Sequence, residues 1–153
     1  MAQGRIESIC ITSAAEAAMR SVTEVTAIAG VGLEGDRYAT HAGTFSAKPK
    51  PGRQITLIEA EAIEALQREL GIVLALGETR RNIVTRGIAL NHLVDREFTV
   101  GSLRLKGWEL CEPCSDLARM TGKPQILAGL VHRGGLRAEI LEGGVIRVGD
   151  LVG

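Results

Sequence analysis

The side chains in this chain best suited to chemistry are two cysteines in the segment Cys111-Glu112-Pro113-Cys114-Ser115-Asp116-Leu117. A thiolate binds soft metals and carries sulfur, and nearby positive charge or free N–H groups stabilise it. Pro113 fixes the backbone ahead of Cys114, and Ser115-Asp116-Leu117-Ala118-Arg119 reads as the first turn of a short helix. Cys114 then falls near a helix N-terminus, where the dipole favours an anion. A zinc site would need about four ligands, yet only Cys10 and three scattered histidines (His41, His92, His132) remain to complete one. A thioredoxin-type dithiol expects a βαβ setting, which this β-rich order lacks. Two readings stay open: one working thiol with a neighbour, or two core cysteines packed as small hydrophobes.

Positive charge is available beside the glycine-rich turns, at Arg37, Arg53, Arg80-Arg81-Asn82, Arg133 and Arg137. Taken singly, each is an ordinary solvated arginine; as a set they suit an anionic ligand, because guanidinium forks match phosphate oxygens. His132 precedes Arg133-Gly134-Gly135 and reads either as an acid–base group or as a satisfied structural histidine, the glycines marking a tight lead into the last strands. Gly30-Val31-Gly32-Leu33-Glu34-Gly35 matches a dinucleotide fingerprint, but that mechanism needs a helix to start within it. Asp36 to Gly43 has no apolar helical period, so the glycines are read as a turn that directs Asp36 and Arg37.

The elements that must carry these residues are mostly strands. Ile6 to Ile11, Val22 to Ala29, Gln54 to Ile58, Arg81 to Arg86, Phe98 to Val100 and Leu103 to Leu110 are predicted β, as are Leu136 to Leu141, Val145 to Val148 and Leu151-Val152. Residues 30–53, with Gly43, Pro49 and Pro51, read as a long shaped loop, a kind of segment often tied to function. Glu59 to Leu70 is the clearest helix: Ile63, Leu66 and Leu70 share a face and Gly71 closes it, while a second short helix falls within Gly122 to Leu130. The expected fold is mainly β with a few helices (α+β), a closed or nearly closed antiparallel β-barrel.

At 153 residues the chain is expected to be one domain spanning 1–153. Only 3% of residues are aromatic, so the core must be aliphatic and no stacking platform for single-stranded nucleic acid is expected. Eighteen basic and eighteen acidic side chains cancel, leaving no global field for nucleic acid or an anionic membrane. Three cysteines make no disulfide framework, and the chain shows neither a signal-peptide layout nor a membrane-length apolar run, so a soluble cytoplasmic protein is expected.

In order along the chain, Gly32-Leu33-Glu34-Gly35-Asp36-Arg37, Arg53-Gln54-Ile55-Thr56-Leu57, Arg80-Arg81-Asn82-Ile83-Val84-Thr85-Arg86-Gly87, Phe98-Thr99-Val100-Gly101, Cys111-Glu112-Pro113-Cys114-x-x-Leu117 and Arg133-Gly134-Gly135-Leu136-Arg137 through Gly149-Asp150 resemble the MOSC domain. That family is named after the C-terminal domain of molybdenum cofactor sulfurase. The resemblance implies a barrel of the MOSC and pyruvate kinase β-barrel type and a role around the molybdenum cofactor or sulfur transfer. Some relatives bind molybdopterin and reduce N-hydroxylated bases or amidoximes, with a protein cysteine on molybdenum. Their ligand cysteine corresponds to Cys114, the expected catalytic and metal-binding residue, with Cys111 less clearly its partner. Arg37, Arg81 and Asn82 fall in regions that contact the cofactor in relatives; Arg53 and Arg133, from the arginine set, complete the expected cofactor-binding group.

The chain lacks the extra terminal segments of the larger reductases and carries no iron–sulfur, haem or flavin motif, so electrons are expected from a redox partner. Pyridoxal phosphate belongs to the desulfurase domain fused to some members, and no lysine here has a setting for a Schiff base. The leading expectation is a stand-alone MOSC protein that binds molybdenum cofactor through Cys114. One alternative is a sulfur carrier holding a persulfide on Cys114, loaded by a cysteine desulfurase and serving metal–sulfur assembly. Another is a non-catalytic module for an anion or a protein, with inert cysteines.

Overall fold

Alternating burial along the strands builds the molecule. In the computed structural model, which describes residues 3–40 and 51–153, β1 (Gly4–Ile11), β2 (Arg20–Val22), β3 (Glu24–Ile28), β4 (Gly32–Leu33) and β5 (Ile55–Glu59) lead into helix α1 (Ala60–Leu70). Then come β6 (Ile83–Arg86), β7 (Glu97–Val100), β8 (Leu103–Leu110), α2 (Ser115–Thr121), α3 (Ile126–Gly129), β9 (Leu136–Glu142), β10 (Gly144–Arg147) and β11 (Leu151–Val152). The loop positions His41, Gly43 and Pro49 lie outside the described residues.

Seven strands close a barrel in the order β1-β11-β7-β8-β9-β5-β6, with β6 returning to β1. β2 adds to β1, and a separate three-stranded sheet runs β10-β3-β4. The barrel is mixed: β5 and β6 pair in parallel, Leu57 opposite Ile83, and every other neighbouring pair is antiparallel. A parallel pair needs a crossover, and α1 supplies it. The apolar runs of β5 and β6 fit this position because these strands are buried on both faces. Leu57 and Ile83 point into the barrel beside Ile9, Leu105 and Leu136, whereas their neighbours Ile58 and Val84 point outward. Those outward side chains meet Leu66 of α1, Leu117 of α2 and Ile126 of α3 in a second apolar layer.

The predicted helix forms over Ala60–Leu70, and Gly71 ends it at φ 68° with its N–H donating to Gln67 O. Arg86 of β6 anchors it, pairing with Glu64 of α1 at 2.9 Å and with Glu7 of β1. The strand expected over Val22 to Ala29 divides into β2 and β3, and part of the expected 30–53 loop forms β4 against Ala27 and Ile28. No helix starts at the Gly30–Gly35 fingerprint, whose following residues are turns. Among the described residues no helix is long and apolar enough to cross a membrane.

Leu105 has no exposed surface inside the barrel. Leu105→Ala is expected to lower the unfolding free energy by about 2–5 kcal/mol in a urea titration. Val148→Ala, at a 45% exposed position, is expected to change it by less than about 0.5 kcal/mol.

Candidate functional site

The start of β6 organises the site. Asn82 is fully buried, and its side-chain oxygen accepts from Thr56 N and Oγ1 at 3.0 and 3.1 Å while Nδ2 donates to Cys10 O at 3.2 Å. One amide thus ties β5 and β1 to the first residues of β6. Next to it, the buried guanidinium of Arg81 donates through Nε to Gly134 O at 2.7 Å, through Nη1 to Thr79 O at 3.2 Å and through Nη2 to Cys111 O at 3.0 Å. Three separate backbone segments therefore share one cation.

The thiol loop depends on that cation and on two glycines. Cys111 N donates to Gly135 O at 2.7 Å, which joins the end of β8 to the lead into β9. A side chain on Gly134 would run into Cys111 O and come within 3.2 Å of Pro113 Cδ. Gly135 sits at φ 115°, in a region that side chains rarely adopt, with its missing Cβ facing Leu57 O. Glu112 is held from the other side: it accepts from His132 N at 2.7 Å and meets His132 Nδ1 at 2.8 Å. The His132 backbone N–H, the largest favourable influence on it, keeps the Glu112 carboxyl below the usual carboxylate range. His132 thereby serves this structure as a clamp on the thiol loop. Its backbone, at φ 61°, is tied by Asn91 Nδ2, which donates to its carbonyl at 2.6 Å.

Cys114 caps α2, which starts at Ser115 as predicted, and is half-buried against the outer apolar layer. Cys111 is buried. Both line a cleft of about 50 Å3 together with Arg37, Arg80, Arg81, Arg137 and Met120. Four arginines and two carboxylates, Glu112 and Asp116, line this cleft, and two of the arginines pair with carboxylates that do not line it, Arg37 with Asp36 and Arg137 with Glu109. Arg37 is buried and pairs with the fully buried Asp36 at 3.2 Å; Asp36 in turn accepts from Thr12 N at 3.1 Å. Arg37 Nη2 donates to Arg80 O at 2.9 Å, and its guanidinium stands 4.4 Å from the Tyr38 ring centre. The glycine turn before Asp36 thus directs this pair at the backbone beneath the cleft. Burial, and then the neighbouring Arg37 charge, push the Arg80 guanidinium below its ordinary value. Arg80 holds φ 65°, a left-handed backbone costing about 1–3 kcal/mol for a residue other than glycine.

The structure brings Cys114, Arg37 and Arg81 together, and it separates the other expected site residues from them. Asn82 lies beneath the cleft wall, its amide engaged with Thr56 and Cys10. Arg53 lines a different cavity of about 240 Å3, beside Trp108 and Glu109. Arg133 is not among the residues lining the cleft; it joins α3 to α1, donating to Gly129 O at 2.7 Å and pairing with Glu69 at 2.9 Å. Arg80 and Arg137 belong to the arginine set read from the sequence but not to the expected cofactor-binding group, and both line the cleft. Met120 could have been found by its spacing of three from Leu117 on α2, which sets it one turn along the same side. Cys10 is buried, and burial pushes its thiol up. Among the described residues no group of three or more His, Cys, Asp or Glu side chains could hold a metal.

The family model described as MOSC domain matches residues 38–153. The fold is similar to the crystal structure of the YuaD protein from Bacillus subtilis, at TM-score 0.82 and 14% identity over 99% of this chain and 96% of that one. It is also similar to YiiM from Geobacillus stearothermophilus, at TM-score 0.71 and 17% identity over 97% of this chain and 74% of that one. YiiM from Escherichia coli aligns at TM-score 0.69 and 17% identity over 97% of this chain and 68% of that one. Among curated proteins, no sequence matches the chain.

Arg81→Met removes the bonds to Gly134 O, Thr79 O and Cys111 O. The expected loss is about 1–3 kcal/mol in urea unfolding for each buried carbonyl left without a donor. Alkylation of native protein is expected to reach Cys111 at least tenfold faster in this variant, and unchanged labelling would show that the clamp does not hold the loop.

Proposed function

The chain belongs to the MOSC domain family, and from that membership we propose that it binds molybdenum cofactor, with Cys114 as the protein ligand to molybdenum. The observation that carries this reading is the half-buried Cys114 on the wall of a cleft lined by Arg37, Arg80, Arg81 and Arg137. The donor set fits the group: molybdenum takes soft thiolate, and the anionic phosphate of a pterin cofactor takes guanidinium. A cleft of about 50 Å3 is well below the roughly 300–1,000 Å3 of sites that enclose a small molecule. It suits the ligating end of the cofactor rather than the whole.

When bound, the cofactor would supply two-electron oxo-transfer chemistry, and reduction of N-hydroxylated compounds is the activity proposed. The protein's own part is positional. Arg81 holds the carbonyl of Cys111, and Glu112 and His132 hold the loop from outside, so the Cys114 sulfur keeps a fixed direction. Arg37, neutralised by Asp36, stiffens the opposite wall. Electrons would come from a redox partner.

The narrowness of the cleft favours a second reading. A volume of about 50 Å3 accommodates one added sulfur atom without rearrangement. In a sulfur carrier, the Cys114 thiolate would attack the outer sulfur of a cysteine desulfurase persulfide, taking that sulfur and releasing the desulfurase thiolate. A non-catalytic anion-binding module would need the same arginines but no reactive thiol.

Protein purified from cofactor-competent cells is expected to carry molybdenum and pterin fluorescence in near-equal amounts, and Cys114→Ala to lose at least tenfold of the metal. Equal, negligible molybdenum in both proteins rejects cofactor binding. Mass spectrometry after incubation with a cysteine desulfurase then decides for the sulfur carrier if one sulfur is added at Cys114, and against it otherwise.

A further inference from the structure

Tyr38, the chain's single tyrosine, lines the cleft together with Cys114. It is half-buried and held from several directions. Its backbone N donates to Asp36 Oδ2 at 3.4 Å, the Arg37 guanidinium lies 4.4 Å from its ring centre, and Arg37 Nη2 donates to its phenol oxygen at 3.3 Å. A phenol that accepts one such bond still carries its own hydrogen. That hydrogen has no acceptor among the described residues.

The other cleft groups are poorly suited to giving up a proton. Arg37, Arg80, Arg81 and Arg137 are guanidiniums, which stay protonated in proteins. The two carboxylates are acceptors already engaged, Glu112 by His132 at 2.7 and 2.8 Å and Asp116 by Arg119 at 3.2 Å. Cys114 is the proposed ligand, and the Cys111 thiol is buried and a weak donor. Tyr38 therefore offers the cleft a neutral O–H, and Arg37 Nη2 already points at the oxygen that would carry the charge left behind.

We propose that Tyr38 is the proton donor of this site and that its proton goes to the oxygen leaving an N-hydroxylated substrate. The inference rests on reading the cleft as the cofactor site of such a reduction, and it adds the acid. Breaking one N–O bond takes two electrons and two protons and yields the N–H compound and water. The electrons come from a redox partner. Tyr38 Oη gives one proton to the departing oxygen, and the phenolate recovers a proton from solvent. Solvent supplies the second proton, which goes to the nitrogen.

Because the chain has one tyrosine, growth on 3-fluorotyrosine labels position 38 alone. In such protein from cofactor-competent cells, the fluorine NMR resonance is expected to shift with benzamidoxime, an N-hydroxylated amidine, and not with benzamidine, which lacks the hydroxyl. With a chemical reductant as electron source, Tyr38→Phe is expected to lower kcat about a hundredfold while KM and molybdenum content stay near wild type. The fluorotyrosine protein, which keeps the O–H, is expected to turn over. A resonance that stays put or moves equally with both probes overturns the inference. So does wild-type kcat in molybdenum-loaded Tyr38→Phe, and either result leaves the cofactor reading standing. Wild type without molybdenum rejects the cofactor reading, and the proton-donor role with it.

Discussion

A buried guanidinium held only by backbone carbonyls sets the geometry of this protein. Arg81 forms no ion pair with a described carboxylate, so its charge is met by the carbonyl oxygens of Thr79, Cys111 and Gly134. A buried cation is tolerated only when its donors are satisfied. That requirement binds three segments remote in sequence: the turn before β6, the thiol loop after β8 and the glycine lead into β9. Beside it, Asn82 makes the matching connection to β1 and β5. With these two residues fixed, Cys114 and Arg80 have little freedom in where they stand.

Around that point the arginines divide their roles. Arg37 is balanced by buried Asp36 and braces the carbonyl of Arg80. Arg81 braces the thiol loop, while Arg133 secures α1 near its C-terminus through Glu69 and Arg86 secures it near its middle through Glu64. Arg80 makes a single side-chain hydrogen bond to a described residue, to Ala17 O, fewer than Arg37 or Arg81. The gathering of arginines at the cleft is thus a product of structural cations as much as a dedicated binding device.

Much of this was legible in the residues, because much of it is local. Ile63, Leu66 and Gly71 announce α1; Pro113 and Ser115 announce the start of α2, and with it the position of Cys114. The ordered motifs named the family that the matching domain model supports. Long-range facts were not legible. Nothing in Ile55-Thr56-Leu57-Ile58 or Ile83-Val84 alone says that they pair in parallel, although burial on both faces is the physical mark of it. Arg53 and Arg133 look like Arg37 in sequence, and only the folded chain carries them to other surfaces. Asn82 reads as a ligand contact by motif, yet its amide is used up inside the wall.

Everything proposed for the site requires the Cys114 sulfur to be reachable from the arginine-lined cleft, whereas Cys10 and Cys111 are buried. Mass-spectrometric mapping of iodoacetamide labelling on native protein measures this directly. The expected result is alkylation confined to Cys114 and suppressed in protein loaded with molybdenum cofactor. Labelling of all three cysteines only after denaturation would contradict it.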